Sequence, residues 1–162
     1  MHTLIRAALV VALALGLLVS PASAELDTVG DPAGDIPDIL RFTIDNRENA
    51  VVTRMKYADI EKVELESFYI KWGSSTYYRV RLRLHSPGHR LYLYQGDDSK
   101  KIACAEMVSS RDAESDIANV RIPRKCLKEA PDRVRARGTA TKTNAYGNKT
   151  DGTAFTKVVD RG

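Results

Sequence analysis

The chain has 162 residues, with 25 Lys and Arg against 21 Asp and Glu and a formal net charge of +4. A surplus this small does not by itself imply nucleic-acid or membrane binding, and the length is that of one ordinary domain.

Met1, His2 and Arg6 form a short positive n-region, and residues 7–19 are an almost unbroken apolar run. Ala22 and Ala24 then place small residues at the two positions that a signal peptidase reads. The sequence therefore predicts a signal peptide over 1–24, a single domain over 25–162, and a secreted, extracellular protein. The apolar run is too short, and too closely followed by the cleavage site, to be a good membrane anchor. No cysteine ends it to carry a lipid.

Next comes "DPAGDIPDI", residues 31–39, with three carboxylates, two prolines and a glycine in nine positions. Calcium takes six to eight oxygens from carboxylates, carbonyls and water, and a turning segment suits it. Asp31, Asp35 and Asp38 are the candidate ligands, with Asp27 nearby. The spacing is not that of an EF-hand loop. Asx-turns leading into the first strand explain the same residues, and both readings stand.

From Ile39 onward the period is two. "ILRFTID" alternates Leu40, Phe42 and Ile44 with polar residues, and "NREN" turns the chain into "AVVTRMKY", so the pair reads as a hairpin. The segment 57–67 is predicted to hold a helical turn. "SFYIKW" and "YYRVRLRL" form strands about a "GSST" turn, and in the second Tyr78, Val80, Leu82 and Leu84 alternate with Arg79, Arg81 and Arg83. "RLYLYQ", "IACAEMV", "ANVRIP", "RVRARGTATKT" and "TAFTKVV" complete the set. Residues 109–116 read as a polar loop, and "RKCLKEA" as a helical turn stopped by Pro131. Eight or nine short strands between turn signals predict an all-β, antiparallel β-sandwich.

Cys104 and Cys126 are the two cysteines. An even count in an exported chain predicts one disulfide, worth about 3 kcal/mol on the chain-entropy model. Neither a CxxC pair nor a neighbouring histidine supports a metal site or a nucleophile.

The "DPAGD" segment followed closely by "DI" and a strand, with "RIPRKCL" late in the chain, resembles a set of small exported proteins of high-GC Gram-positive bacteria. These are similar to β-sandwich modules whose N-terminal Asp-rich turn can take calcium. The resemblance implies calcium at Asp31, Asp35 and Asp38 and adds support for the cysteine bridge. It brings no activity with it.

Catalytic signals are sparse. His85 and His89 flank "SPG", where Pro87 and Gly88 exclude the helix that would aim both rings at a zinc ion. Ser86 beside His85 is not a dyad by adjacency, and no G-x-S-x-G elbow occurs. Carboxylate pairs for glycoside hydrolysis meet only in the fold, and none is singled out. Asn148-Lys149-Thr150 fits the N-glycosylation pattern, which a bacterial exporter ordinarily ignores.

The arginines are the stronger signal. Arg79, Arg81 and Arg83 share one strand face, and Arg133, Arg135 and Arg137 repeat the pattern, backed by Val134, Ala136 and Gly138. One such row is an ordinary soluble strand face. Two adjoining rows would repel unless they met an anionic partner, since guanidinium forks suit phosphate and carboxylate. The expectation is a non-enzymatic, exported module, calcium-stabilised, binding wall teichoic acid, polysaccharide or an extracellular protein, and not nucleic acid. Its rivals are a small secreted hydrolase with an unrecognised carboxylate site, and an inhibitor presenting residues 86–88 or 109–116.

Overall fold

Period-two alternation produces strands nearly throughout, with two single 3-10 turns between them. The computed structural model describes residues 25–30, 37–74, 76–84, 88–96, 100–144 and 147–162. Eleven strands lie in these residues: β1 (Glu25–Gly30), β2 (Ile39–Asn46), β3 (Ala50–Tyr57), β4 (Leu65–Trp72), β5 (Thr76–Leu84) and β6 (His89–Gln95) come first. They are followed by β7 (Lys100–Ile102), β8 (Val108–Asp112), β9 (Ile117–Pro123), β10 (Arg135–Asn144) and β11 (Gly147–Gly152).

Two sheets result, a five-stranded one in the order β1-β2-β3-β9-β8 and a six-stranded one in the order β11-β10-β4-β5-β6-β7. Every pairing is antiparallel. The expected antiparallel sandwich is the observed fold. Most of the inward rows meet as predicted: Phe42, Ile44, Val51 and Met55 face Phe68, Ile70, Val80 and Leu82, all fully buried, but an irregularity at the start of β2 buries Ile39 and leaves Leu40 on the outer face. Burying each such side chain is worth about 1.5–3 kcal/mol. Cys104 and Cys126 are bridged, with Cα atoms 5.8 Å apart. Both helical turns occur, at Ile60–Lys62 and Arg124–Cys126.

The strand count exceeds the expected eight or nine for physical reasons. β1 is polar but pairs along its whole length with β2, and its Thr28 hydroxyl meets that of Thr43. β8 lies within the stretch read as a loop. Its pattern is inverted, because Val108 points outward while Arg111 turns inward to a buried carboxylate. "IACAEMV" forms no strand of its own: Ile102 ends β7, Val108 begins β8, and the bridged Cys104 lies in the turn between them.

"TAFTKVV" forms no regular strand. Residues 153–159 continue β11 irregularly beside β10, and threonine hydroxyls take over part of the ladder. Ala136 N donates to Thr156 Oγ1 (2.9 Å) and Gly138 N to Thr153 Oγ1 (3.1 Å). A bridge between Val134 and Val159 ends this run. A Cβ at Gly138 would overlap Met55 Sδ, so that the methionine would have to shift, and would crowd Phe42.

Candidate anion-binding face

The outer side of the six-stranded sheet is built by alternation. Once Phe68, Ile70, Tyr78, Val80, Leu82, Leu93 and Ala136 are buried, their neighbours must face outward. Strand pairing then fixes which neighbours meet. Arg137 is opposite Tyr69, Tyr69 opposite Arg79, Arg79 opposite Tyr94, and Tyr94 opposite Lys101. One line across five strands therefore reads cation, tyrosine, cation, tyrosine, cation.

The side chains interleave as that register demands. The Arg137 guanidinium lies 5.0 Å from the Tyr69 ring centroid and 4.9 Å from that of Phe155. Arg79 lies 5.9 Å from Tyr69 and 5.7 Å from Tyr94, and Arg81 also lies 5.7 Å from Tyr94. The Lys101 ammonium sits 4.4 Å over Tyr92. Phe155 is placed by the threonine-bonded segment after β11, and Arg135 and Lys71 also gather on its ring at 5.1 and 5.6 Å. Each contact of this kind is worth about 0.5–1 kcal/mol at a wet surface, and more where water is excluded.

The two arginine rows thus share one face of one sheet, but they do not adjoin. β4 stands between them and inserts Tyr69 and Lys71. Tyr69 relieves the like-charge clash between Arg137 and Arg79, whereas Arg135 still lies opposite Lys71. None of the outward positions of β4, β5, β6, β7, β10 or β11 carries Asp or Glu. Arg133 stands apart, ahead of β10, with its Nε 2.8 Å from Asp160. Arg83 is exposed, opposite Leu65 on one side and Arg90 on the other.

The tyrosines and Phe155 were not in the expected set. The signal for most of them lay in the sequence, since Tyr69 and Lys71 alternate with Phe68 and Ile70, and Tyr92 and Tyr94 with Leu91 and Leu93. Phe155 had no such signal, because its position depends on how the last segment runs.

Of the proposed calcium ligands, Asp31 and Asp35 lie outside the described residues. Asp38 is 9% exposed, and its Oδ1 is buried without a hydrogen-bond partner among the described residues. Nearby, Asp151 Oδ2 accepts a bond from Ile39 N at 2.7 Å. His85 and Ser86 also lie outside the described residues. His89 Nε2 instead meets Ser109 Oγ at 2.7 Å, at an exposed position.

Glu66 is the described carboxylate with the most perturbed environment. Burial raises its carboxyl from 4.5 to about 7, against the pull of Arg111. It is 1% exposed and lies between the sheets. It lines none of the three main surface depressions, which lie over the five-stranded sheet, beside the disulfide and near Pro131. The depression over the five-stranded sheet is lined by charges of both signs, including Arg41, Arg54, Lys56 and Asp45.

No protein-family model matches the sequence, and no curated protein matches it. Among solved structures, the chain is similar to one described as a "putative carbohydrate-binding protein" from Bacteroides uniformis. The TM-score is 0.47 and the identity 11%, over 86% of this chain and 87% of that one. The likeness is too distant to carry a ligand across. No helix among the described residues is long and apolar enough to cross a membrane.

Proposed function

We propose that the chain is an exported, non-enzymatic binding module whose six-stranded face holds an anionic polymer outside the cell. One observation carries this reading: cations alternate with tyrosines across five strands, on a face whose strands offer no outward carboxylate. A row kept only for solubility would ordinarily mix acids and bases. Aromatic neighbours hold the guanidiniums in place, so less side-chain freedom is lost when an anion binds. Export is supported by the Cys104–Cys126 bridge, which belongs to oxidising compartments.

The test is retention of the full chain on a polyanionic resin over a salt series. Affinity should fall steeply as salt rises, and Arg81→Glu with Arg135→Glu should abolish retention while leaving the fold intact. Salt-independent retention, or retention that survives both reversals, would contradict the reading.

Calcium at Asp31, Asp35 and Asp38 belongs to the same proposal. The buried Oδ1 of Asp38, which has no partner among the described residues, supports it, since such an oxygen is costly unless something binds it. Millimolar calcium should raise the melting temperature of the native chain and not that of Asp38→Asn. Equal melting with and without calcium returns the segment to a plain turn.

A further inference from the structure

We infer that the polymer is an acidic polysaccharide carrying its acid on alternate sugars, and that it lies across the strands along the line Arg137–Tyr69–Arg79–Tyr94–Lys101. This inference rests on the anion-binding reading above and adds the ligand's class and direction. Neighbouring strands stand about 4.8 Å apart, so cations on every second strand recur at about 9–10 Å. The positions on which that spacing depends are set by backbone pairing.

A ligand that matches must place an anion at that interval and something uncharged between. Each intervening position holds a tyrosine, with an apolar ring and one hydroxyl that both donates and accepts. That chemistry suits a neutral sugar, whose C–H face and hydroxyls are the complementary groups. One disaccharide of an extended pyranose chain has about the same length as two strand spacings. Duplex DNA presents a phosphate about every 3.4 Å along each strand, which is far too dense for this line. Inorganic polyphosphate is denser in charge and offers nothing for the tyrosines. Carboxylate or sulfate on the sugar would meet the guanidinium nitrogens of Arg137 and Arg79 other than Arg137 Nε and Arg79 Nε and Nη2, which are buried.

Tyr69 is central, because Arg137 and Arg79 flank its ring at 5.0 and 5.9 Å. Through it the two arginines are held at a fixed separation. Replacing it with leucine keeps apolar volume and removes both the ring and the hydroxyl. The ability to bind anions should then survive, while the preference among anions should not.

The experiment is calorimetric titration of the full chain at one salt concentration against four probes, compared at equal anion content. They are hyaluronan (uronate on alternate sugars), polygalacturonate (uronate on every sugar), inorganic polyphosphate and duplex DNA. The inference expects hyaluronan to bind tighter than each of the others by about tenfold, equivalent to about 1.4 kcal/mol. Tyr69→Leu and, separately, Tyr94→Leu should erase that margin, and Arg79→Gln should weaken all probes. Arg54→Gln, on the opposite sheet, should change nothing.

Equal affinity for all four probes would overturn the alternating-acid inference and leave the anion-binding reading standing. So would a preference for polyphosphate or DNA. Binding to none of them would overturn both. Two tyrosine variants that both keep full preference for hyaluronan would show that the line does not read the sugar.

Discussion

Arg111, on the outermost strand of one sheet, places its Nε 2.9 Å from Oε1 of Glu66, on an inner strand of the other. The guanidinium also donates to the carbonyls of Ile60 and Val63, so one side chain ties a sheet edge, a 3-10 turn and the opposite sheet together. Breaking such a pair leaves Glu66 buried without its cation and the Ile60 and Val63 carbonyls without their donor. Arg111→Leu should lower unfolding stability by about 3–5 kcal/mol, whereas removing both charges in Arg111→Leu/Glu66→Leu should cost less than that single change. Denaturant unfolding of the variants reads both quantities. A single-variant loss below about 1 kcal/mol would place the pair among ordinary surface bridges.

The same carboxyl makes stability depend on pH. Burial raises Glu66 from 4.5 to about 7, with the Arg111 charge opposing the rise. The folded chain thus holds this proton more tightly than the unfolded chain does. Its contribution is fully present below the ordinary carboxyl value and is lost as pH climbs through the folded value. The melting temperature should therefore fall between about pH 5 and about pH 8 through this group. Glu66→Gln mimics the protonated carboxyl and should flatten that decline. Parallel pH profiles for the two proteins would show that another group titrates.

Gly138 lies on β10 against the opposite sheet, where an added methyl meets Met55 and Phe42. Gly138→Ala should cost about 1–3 kcal/mol by overpacking. Pairing it with Met55→Ala should recover part of the loss, which thermal melts of the two variants will show. An unchanged melting temperature for Gly138→Ala would mean that the methionine moves aside freely.

The arginine row, the disulfide and Arg111 show where sequence is informative and where it stops. The row Tyr78, Val80, Leu82, Leu84 against Arg79, Arg81, Arg83 could be read at once, because burial of one face forces the other outward. The bridge between Cys104 and Cys126 followed from count and compartment. Strand order is a different kind of information. Nothing local says that β4 separates the two arginine rows, and only that order turns them from adjoining and repulsive into a line spaced by Tyr69. Arg111 was unreadable for the opposite reason. A charged residue at an inward position breaks the alternation that identifies a strand, and its partner Glu66 is 45 residues away in the chain.

The disulfide closes the region that follows β7, where the chain leaves one sheet for the other. Cys104→Ser/Cys126→Ser should reduce stability by about 2–4 kcal/mol. The anion-binding line should be hardly affected, since only Lys101 on β7 lies near the break. A melting temperature indifferent to reductant would mean that the loop is already fixed by its turns, among them Met107 N to Cys104 O at 3.4 Å.

The segment after β11 joins stability to binding, and its variants separate the two. Thr153 and Thr156 are buried and accept hydrogen bonds from Gly138 N and Ala136 N. Valine at either position keeps the shape but leaves a backbone N–H without its partner, at about 1–3 kcal/mol each. Phe155 lies between them in sequence and receives Arg135, Arg137 and Lys71 on its ring. Loosening the threonines should therefore disorder the aromatic cap and weaken polyanion retention, although neither threonine lies on the line of cations. Phe155→Leu should weaken retention with little change in melting, because the ring is only half-buried and supports cations, not core. If Phe155→Leu binds as the native chain does, the ring merely covers the arginines. Retention that tracks the ring and not the melting temperature is the expected result.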